Sequence, residues 1–256
     1  MTFEPRDLTL NGARLAYREA GSGPVLLFLH GAGGAESALP FLLPFTTDHR
    51  VIVPDHPGFG RSADPEWLHD VHDVAYAYLD FLEALDLRGV NLVGTSLGGW
   101  IAMELAIRCS ARLASLTVVA AAGIRAGDIP TGDFFSWSAE ERVRQLVASP
   151  AFAARILALP QTPEQAETAR RNQSTTTRLC LEPRFFDPGL ERWLHRIRLP
   201  TQVVWGDTDR LFPLAYGRRL AGLIPGARLD VIRDCGHLPQ VEQPDALAEI
   251  VRGNLA

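Results

Sequence analysis

Ser96 stands in "NLVGTSLGGW" (Asn91 to Trp100), an apolar run that passes into Gly94-x-Ser96-x-Gly98-Gly99. Two chemistries compete for such a stretch: a glycine turn that cradles a phosphate ahead of a helix, and a sharp turn that presents a nucleophile to a cleft. The dinucleotide form of the first needs G-x-G-x-x-G after the first strand and an acid at the end of the next. Here the next apolar run ends in "VVAAAG", with no acid. The second form, G-x-S-x-G, fits, because small neighbours let the backbones of a sharp strand-to-helix turn approach. A serine hydroxyl is a poor nucleophile, so a base must take its proton and a third group must orient that base. Downstream, "VVWGDTDRLFP" supplies Asp207 and Asp209, and "LDVIRDCGHLPQVEQPDAL" supplies His237, each after an apolar run.

Other segments must position these groups. "VLLFL", "VIVP", "VNLVG", "LTVVAA" (Leu116 to Ala121) and "QVVWG" are short and almost continuously apolar, the pattern of strands covered on both faces in a parallel sheet. "LTLNGARLAYREAG" alternates around Asn11-Gly12 and predicts a hairpin. Between the runs lie helical patterns. In "DVHDVAYAYLDFLEALDL" apolar residues recur at three and four, with Asp70 as N-cap. The alternation reads as a doubly wound α/β fold. From about Gly123 to Arg198 no strand signal appears, while Ser138 with Glu141, Ser149 with Pro150, and Thr162 with Pro163 and Gln165 mark three helix starts. This is a helical insertion, expected to overhang the edge of the sheet where ligands bind.

A chain of 256 residues with 46% hydrophobic and 21% charged residues suits one soluble α/β domain. A formal charge of -5 gives no basic footprint for nucleic acid or an anionic membrane. The N-terminal residues show no basic segment leading into an apolar run, and no apolar stretch has the length of a membrane span, so the expected location is the cytoplasm. Cys109, Cys180 and Cys235 are odd in number and far apart, which points to buried apolar residues and away from disulfides or zinc. His69 and His72 share a metal-like spacing at a helix start, where a solvated face is the expectation and no metal is assigned.

The motifs "HGAGG", "DHPGFGRS", "GTSLGG", "WGDTDRLFP" and "CGHLPQVEQPDA", in that order, make the chain resemble the serine hydrolases of the α/β-hydrolase family over essentially its whole length. The resemblance implies a mostly parallel eight-stranded sheet with helices on both faces, a core of residues 1–122 and 199–256, and a helical cap of residues 123–198. It assigns Ser96 as nucleophile, His237 as base and Asp209 as acid, with Asp207 next in line as a turn residue. The oxyanion donors become the N–H groups of Leu97 and, by resemblance, Ala32. His30 is expected to brace the glycine-rich loop. A serine nucleophile sets the chain apart from the family's haloalkane dehalogenases and epoxide hydrolases, which use aspartate. Two readings remain: hydrolysis of an ester, lactone or thioester, and carbon–carbon hydrolysis of meta-cleavage products. The chain resembles carbon–carbon hydrolases in length, "HGAGG" and cap placement, but has Thr95 where they commonly have asparagine and Leu238 where they have tryptophan. The first expectation is therefore a carboxylic-ester hydrolase acting on a small, partly apolar substrate through an acyl-enzyme, with no cofactor, as a monomer or homodimer. Arg170 and Arg171 in "ETARRNQS" and Trp137 are the expected substrate-binding residues. Phe134, Phe135 and Phe152 serve either the pocket or the core.

Overall fold

The alternating segment around Asn11-Gly12 folds as a two-residue hairpin, both turn residues taking positive φ (49° and 76°) as a tight turn between twisted strands requires. In the computed structural model, which describes residues 2–125 and 127–256, this hairpin joins β1 (Glu4–Leu10) to β2 (Ala13–Ala20). The further strands are β3 (Val25–Leu29), β4 (Arg50–Pro54), β5 (Val90–Thr95), β6 (Leu113–Val119), β7 (Thr201–Gly206) and β8 (Arg228–Ile232). They form one eight-stranded sheet in the order β1-β2-β4-β3-β5-β6-β7-β8. Strand β2 is antiparallel to both neighbours, and from β4 to β8 every pairing is parallel. β6 starts three residues before the expected Leu116 and stops before Ala120, whose φ of 46° turns the chain out of the sheet.

The helices are α1 (Leu39–Leu42), α2 (Val71–Ala84), α3 (Leu97–Arg108), α4 (Ala139–Leu146), α5 (Pro150–Leu157), α6 (Pro163–Cys180), α7 (Leu190–Trp193), α8 (Leu214–Leu223), α9 (Pro239–Glu242) and α10 (Pro244–Arg252). The continuous apolar runs are explained by two cores, one on each face of the sheet. Along β3, Leu27 and Leu29 face the core that α2, α3 and α8 cover, while Leu26 and Phe28 face the core covered by α1 and α10. Each such fully buried side chain contributes about 1.5–3 kcal/mol relative to exposure.

Helices α4 to α7 occupy the stretch between β6 and β7. The expected caps are realised: Ser138, Ser149 and Thr162 accept from the backbone N–H of Glu141, Phe152 and Gln165, each at 3.2 Å. The segment leaves and returns through one stem, where Gly123 N–H donates to Phe185 O at 2.9 Å and Asp187 N–H to Gly123 O at 3.0 Å. His69 is exposed, but His72 is not on a solvated face. It sits half-buried, 3.6 Å from Asp187 of the helical segment and 3.5 Å from Glu104 of α3. Arg108 pairs with Glu104 and donates to His72, so the cluster carries its own cation. Cys180 and Cys235 are buried and Cys109 is half-buried, all three free. Among the described residues no helix is long and apolar enough to cross a membrane.

Candidate active site

The turn between β5 and α3 places Ser96 at φ 52°, ψ −115°, a conformation that costs a non-glycine residue on the order of 1–3 kcal/mol. The glycines around it are dictated by contact. A Cβ on Gly98 would stand 2.1 Å from Leu29 O, and one on Gly94 2.3 Å from Gly98 O, both backbone atoms that cannot step aside. The strained turn lifts the hydroxyl out of the sheet. Ser96 Oγ lies 2.9 Å from His237 Nε2, and His237 Nδ1 lies 2.8 Å from Asp209 Oδ2.

All three residues are buried, Asp209 at 4% exposure and His237 at 3%. The second carboxylate oxygen of Asp209 accepts the backbone N–H groups of Leu211 and Phe212 at 2.8 and 2.9 Å, which fixes the carboxylate plane. In the tautomer whose Nδ1–H faces Asp209, His237 turns Nε2 to the Ser96 hydroxyl as an acceptor. Asp207 is exposed, and among the described residues its carboxylate meets only Cys235 N–H at 3.5 Å, the turn contact expected of it.

The loop after β3 runs beside this serine: a Cβ on Gly31 would lie 3.2 Å from Ser96 Cβ. His30 braces the loop, accepting His56 N–H on Nε2 at 3.1 Å and donating from Nδ1 to Gly31 O at 2.7 Å. Its ring stacks on His56 with centroids 3.8 Å apart. Burial pushes the pKa of His30 down and that of His56 well down, keeping both neutral. Leu97 opens α3, so its N–H belongs to the unpaired first turn. Among the described residues, neither the Leu97 nor the Ala32 amide has a hydrogen-bonding partner.

A cavity of about 230 Å³ opens onto Ser96 and His237. Apolar Phe134, Leu146, Phe185, Leu211 and Leu238 line much of it, joined by Arg142, Asn172 and Gln240. Arg142 is the one permanently charged group among the described lining residues. It donates to Trp137 O and Gln173, its guanidinium lies 5.1 Å from the Phe134 ring centroid, and burial lowers its pKa. Gln240 Oε1 is buried, with no hydrogen-bond partner among the described residues.

The expected substrate-binding residues are not in this cavity. Arg170 lies on the outer face of α6, paired with Glu167, both about 70% exposed (69% and 71%). Arg171 reaches the other way, donating to Gly60 O at 3.0 Å and to Ser62 O, and so ties α6 to the 55–62 loop. The Trp137 ring packs on Gly132, whose hypothetical Cβ would meet it at 2.4 Å. Phe134 does line the cavity, whereas Phe135 stacks on Phe185 and Phe152 lies beneath Arg155. Arg142, Asn172 and Gln240 were not singled out from the sequence. Asn172 alone had a signal, since it shares a helical stripe with buried Thr175, Thr176, Leu179 and Cys180.

The helical segment also touches the histidine turn. His237 N–H donates to Leu146 O at 2.7 Å, and Glu242 accepts both Gly236 N–H at 2.8 Å and Ala148 N–H at 2.7 Å. From the other side Arg210 donates to Val147 O at 2.9 Å and Arg144 O at 3.2 Å.

Known proteins are similar to this chain along nearly its whole length. A 2-hydroxymuconate semialdehyde hydrolase from a Pseudomonas species is 30% identical over 98% of this chain and 93% of its own. A 2-hydroxy-6-oxo-2,4-heptadienoate hydrolase from Pseudomonas putida is 29% identical over 98% of this chain and 96% of its own. Among solved structures, an N-acyl homoserine lactone degrading enzyme superposes with a TM-score of 0.80 at 26% identity, covering 97% of this chain and 99% of that one. A meta-cleavage product hydrolase from Pseudomonas fluorescens, 22% identical, shares the fold with a TM-score of 0.81 over 96% of this chain and 95% of its own. Residues 26–250 match the alpha/beta hydrolase family, and the chain belongs to that family.

Proposed function

We propose that the protein is a serine hydrolase that cleaves a small carboxylic ester, lactone or thioester through an acyl-enzyme. The observation that carries this reading is the buried relay from Ser96 Oγ through His237 to Asp209, with contacts of 2.9 and 2.8 Å, at the floor of a largely apolar cavity. Ser96 Oγ attacks the carbonyl carbon as His237 Nε2 takes the hydroxyl proton. Collapse of the tetrahedral adduct expels the alcohol, which leaves with that proton. Water then repeats the sequence on the acyl-enzyme, releasing the acid and restoring Ser96. The amides of Ala32 and Leu97 are the donors for the oxyanion, and their lack of other partners favours that role. The helical segment roofs the cavity as a cap.

The test is covalent. A fluorophosphonate should label Ser96, and p-nitrophenyl acetate should give a p-nitrophenol burst. Ser96→Ala should abolish both and lose on the order of 10⁴-fold or more in kcat while remaining folded. Labelling that persists at a different serine would refute the assignment.

A second reading, hydrolysis of a carbon–carbon bond in a dienoic acid, draws support from Arg142. A planar guanidinium partly stripped of water in the reaction cavity suits a substrate carboxylate. Two of the relatives at 29–30% identity are named as hydrolases of 2-hydroxy-6-oxo-2,4-heptadienoate and of 2-hydroxymuconate semialdehyde. Comparing turnover of a ring-cleavage dienoic acid with that of a neutral ester decides between the two.

A further inference from the structure

The turn that carries the Ala32 amide is held from both sides of one peptide unit. Gly34 N–H donates to Gly31 O at 3.0 Å and closes the turn. The carbonyl of that same unit, Gly33 O, accepts from Asn172 Nδ2 at 3.1 Å. Asn172 Oδ1 in turn accepts Gly60 N–H at 2.9 Å, so one carboxamide bridges the glycine-rich loop and the 55–62 loop. Asn172 belongs to α6 and is 2% exposed. A second cavity, of about 490 Å³ and lined by Arg18, Glu36, Asp55 and Arg61, lies on its other side, and the two cavities share Gly33, Gly34, Ala169 and Asn172 as their wall.

A peptide unit is planar and stiff, so pinning its carbonyl as well as its N–H fixes the plane and narrows the torsions of the residues before it. Ala32 is one of those residues. A backbone donor stabilises an oxyanion only when it is aimed before the charge develops, since reorientation during the reaction forfeits the gain.

We infer that Asn172 is a positioning residue for the oxyanion donor: the helical segment, besides roofing the cavity, holds the Gly31–Gly34 turn so that the Ala32 amide faces the reacting carbonyl. The inference rests on the serine-hydrolase reading above. Asn172 acts through backbone, so its loss should show in kcat and in the affinity for a tetrahedral adduct, leaving ground-state binding largely alone.

Thr175 provides the control. One turn further along α6, its hydroxyl donates to Gly58 O at 2.8 Å, docking the same helix on the same loop without touching residues 31–34. The experiment measures p-nitrophenyl acetate hydrolysis and inhibition by a trifluoromethyl ketone, which forms a hemiketal on the serine, for wild type, Asn172→Leu, Asn172→Asp and Thr175→Val. Removing an oxyanion donor outright costs about 10²–10³ in kcat, so misaiming one should cost about 10–100-fold. Both Asn172 variants should show that loss with KM changed less than about threefold, and Ki for the ketone should weaken in proportion; Thr175→Val should leave kcat and Ki near wild type. If Asn172→Leu does not fold, Asn172→Asp carries the test, since it keeps an oxygen acceptor for Gly60 N–H and puts a carboxyl oxygen in place of the donor to Gly33 O. Wild-type kcat in a folded Asn172 variant, a kcat loss without a matching Ki change, or an equal loss in Thr175→Val overturns the inference. Fluorophosphonate labelling of wild type separates the two levels. Labelled wild type with indifferent Asn172 variants refutes this inference alone, whereas inactive, unlabelled wild type refutes both.

Discussion

Replacing Asp209 by asparagine should disable catalysis by reversing one tautomer while leaving the fold in place. Asp209 Oδ1 accepts two backbone N–H groups, from Leu211 and Phe212. An asparagine side chain must turn its oxygen toward those two donors, because its NH₂ there would face N–H against N–H. The NH₂ is then directed at His237 Nδ1, in the place of the acceptor now 2.8 Å away. Nδ1 becomes the acceptor, the ring proton moves to Nε2, and Nε2–H points at Ser96 Oγ, where a lone pair is needed. The expected loss is about 10⁴-fold in kcat, or about 5 kcal/mol of transition-state stabilisation at about 1.36 kcal/mol per decade. Because both backbone donors remain satisfied, circular dichroism and the unfolding midpoint should change little. Asp207→Asn, at an exposed position with one 3.5 Å contact, should stay within about threefold of wild type. The assay is kcat/KM for p-nitrophenyl acetate with both variants checked for folding. An Asp209→Asn enzyme that keeps more than a tenth of wild-type kcat, or a larger loss in Asp207→Asn, would refute the tautomer argument.

Arg142→Gln should raise KM for a carboxylated substrate by a factor corresponding to about 1.5–3 kcal/mol and barely change a matched methyl ester, while Arg170→Gln should be silent on both; equal effects on acid and ester remove Arg142 as an anion anchor. Arg171→Gln should lower stability by about 1–3 kcal/mol in a urea titration through its lost bonds to Gly60 and Ser62, with little change in KM. His30 and His56 have folded pKa values below that of an unfolded histidine, so the unfolded chain binds more protons as pH falls: stability should be full above about pH 6.5 and decline below it, by up to about 1.4 kcal/mol per pH unit for each ring. His56→Gln should flatten that slope, and an unaltered slope would count against buried neutral rings. Gly98→Ala should fail to accumulate as folded protein, since its Cβ would stand 2.1 Å from Leu29 O; a soluble variant with wild-type melting would contradict the packing of the elbow.

The strands and helix starts were legible because their causes are local. Runs such as "VLLFL" report burial on two faces, and Ser138, Ser149 and Thr162 report caps within three residues of themselves. The serine, acid and histidine were legible for a related reason, since each sits in a short turn whose glycines are forced by backbone approach. The interior of the cavity was not. Arg170 and Arg171 are neighbours in sequence, yet a helix turns about 100° per residue, so one faces solvent and the other the 55–62 loop. Which cation enters the cavity depends on where α4 docks, and α4 buries no residue of its own that could betray its orientation. Asn172 offered a helical stripe, but its partners Gly33 and Gly60 lie more than a hundred residues earlier.

The contacts around residues 144–148 bear on how interchangeable the parts of this protein are. His237, Glu242 and Arg210 all grip that short stretch by its main chain, so these three contacts depend on its path and not on its side chains. An engineer who replaced everything between the first and last residues of the inserted helices would therefore unfasten the histidine turn as well. A graft that begins after Ala148 and ends before the return stem at Phe185 keeps the fastening and exchanges only α5 and α6. Such a graft exchanges the α6 residues Ala169 and Gln173 that line the cavity, while Phe134, Arg142, Leu146 and Phe185 stay in place.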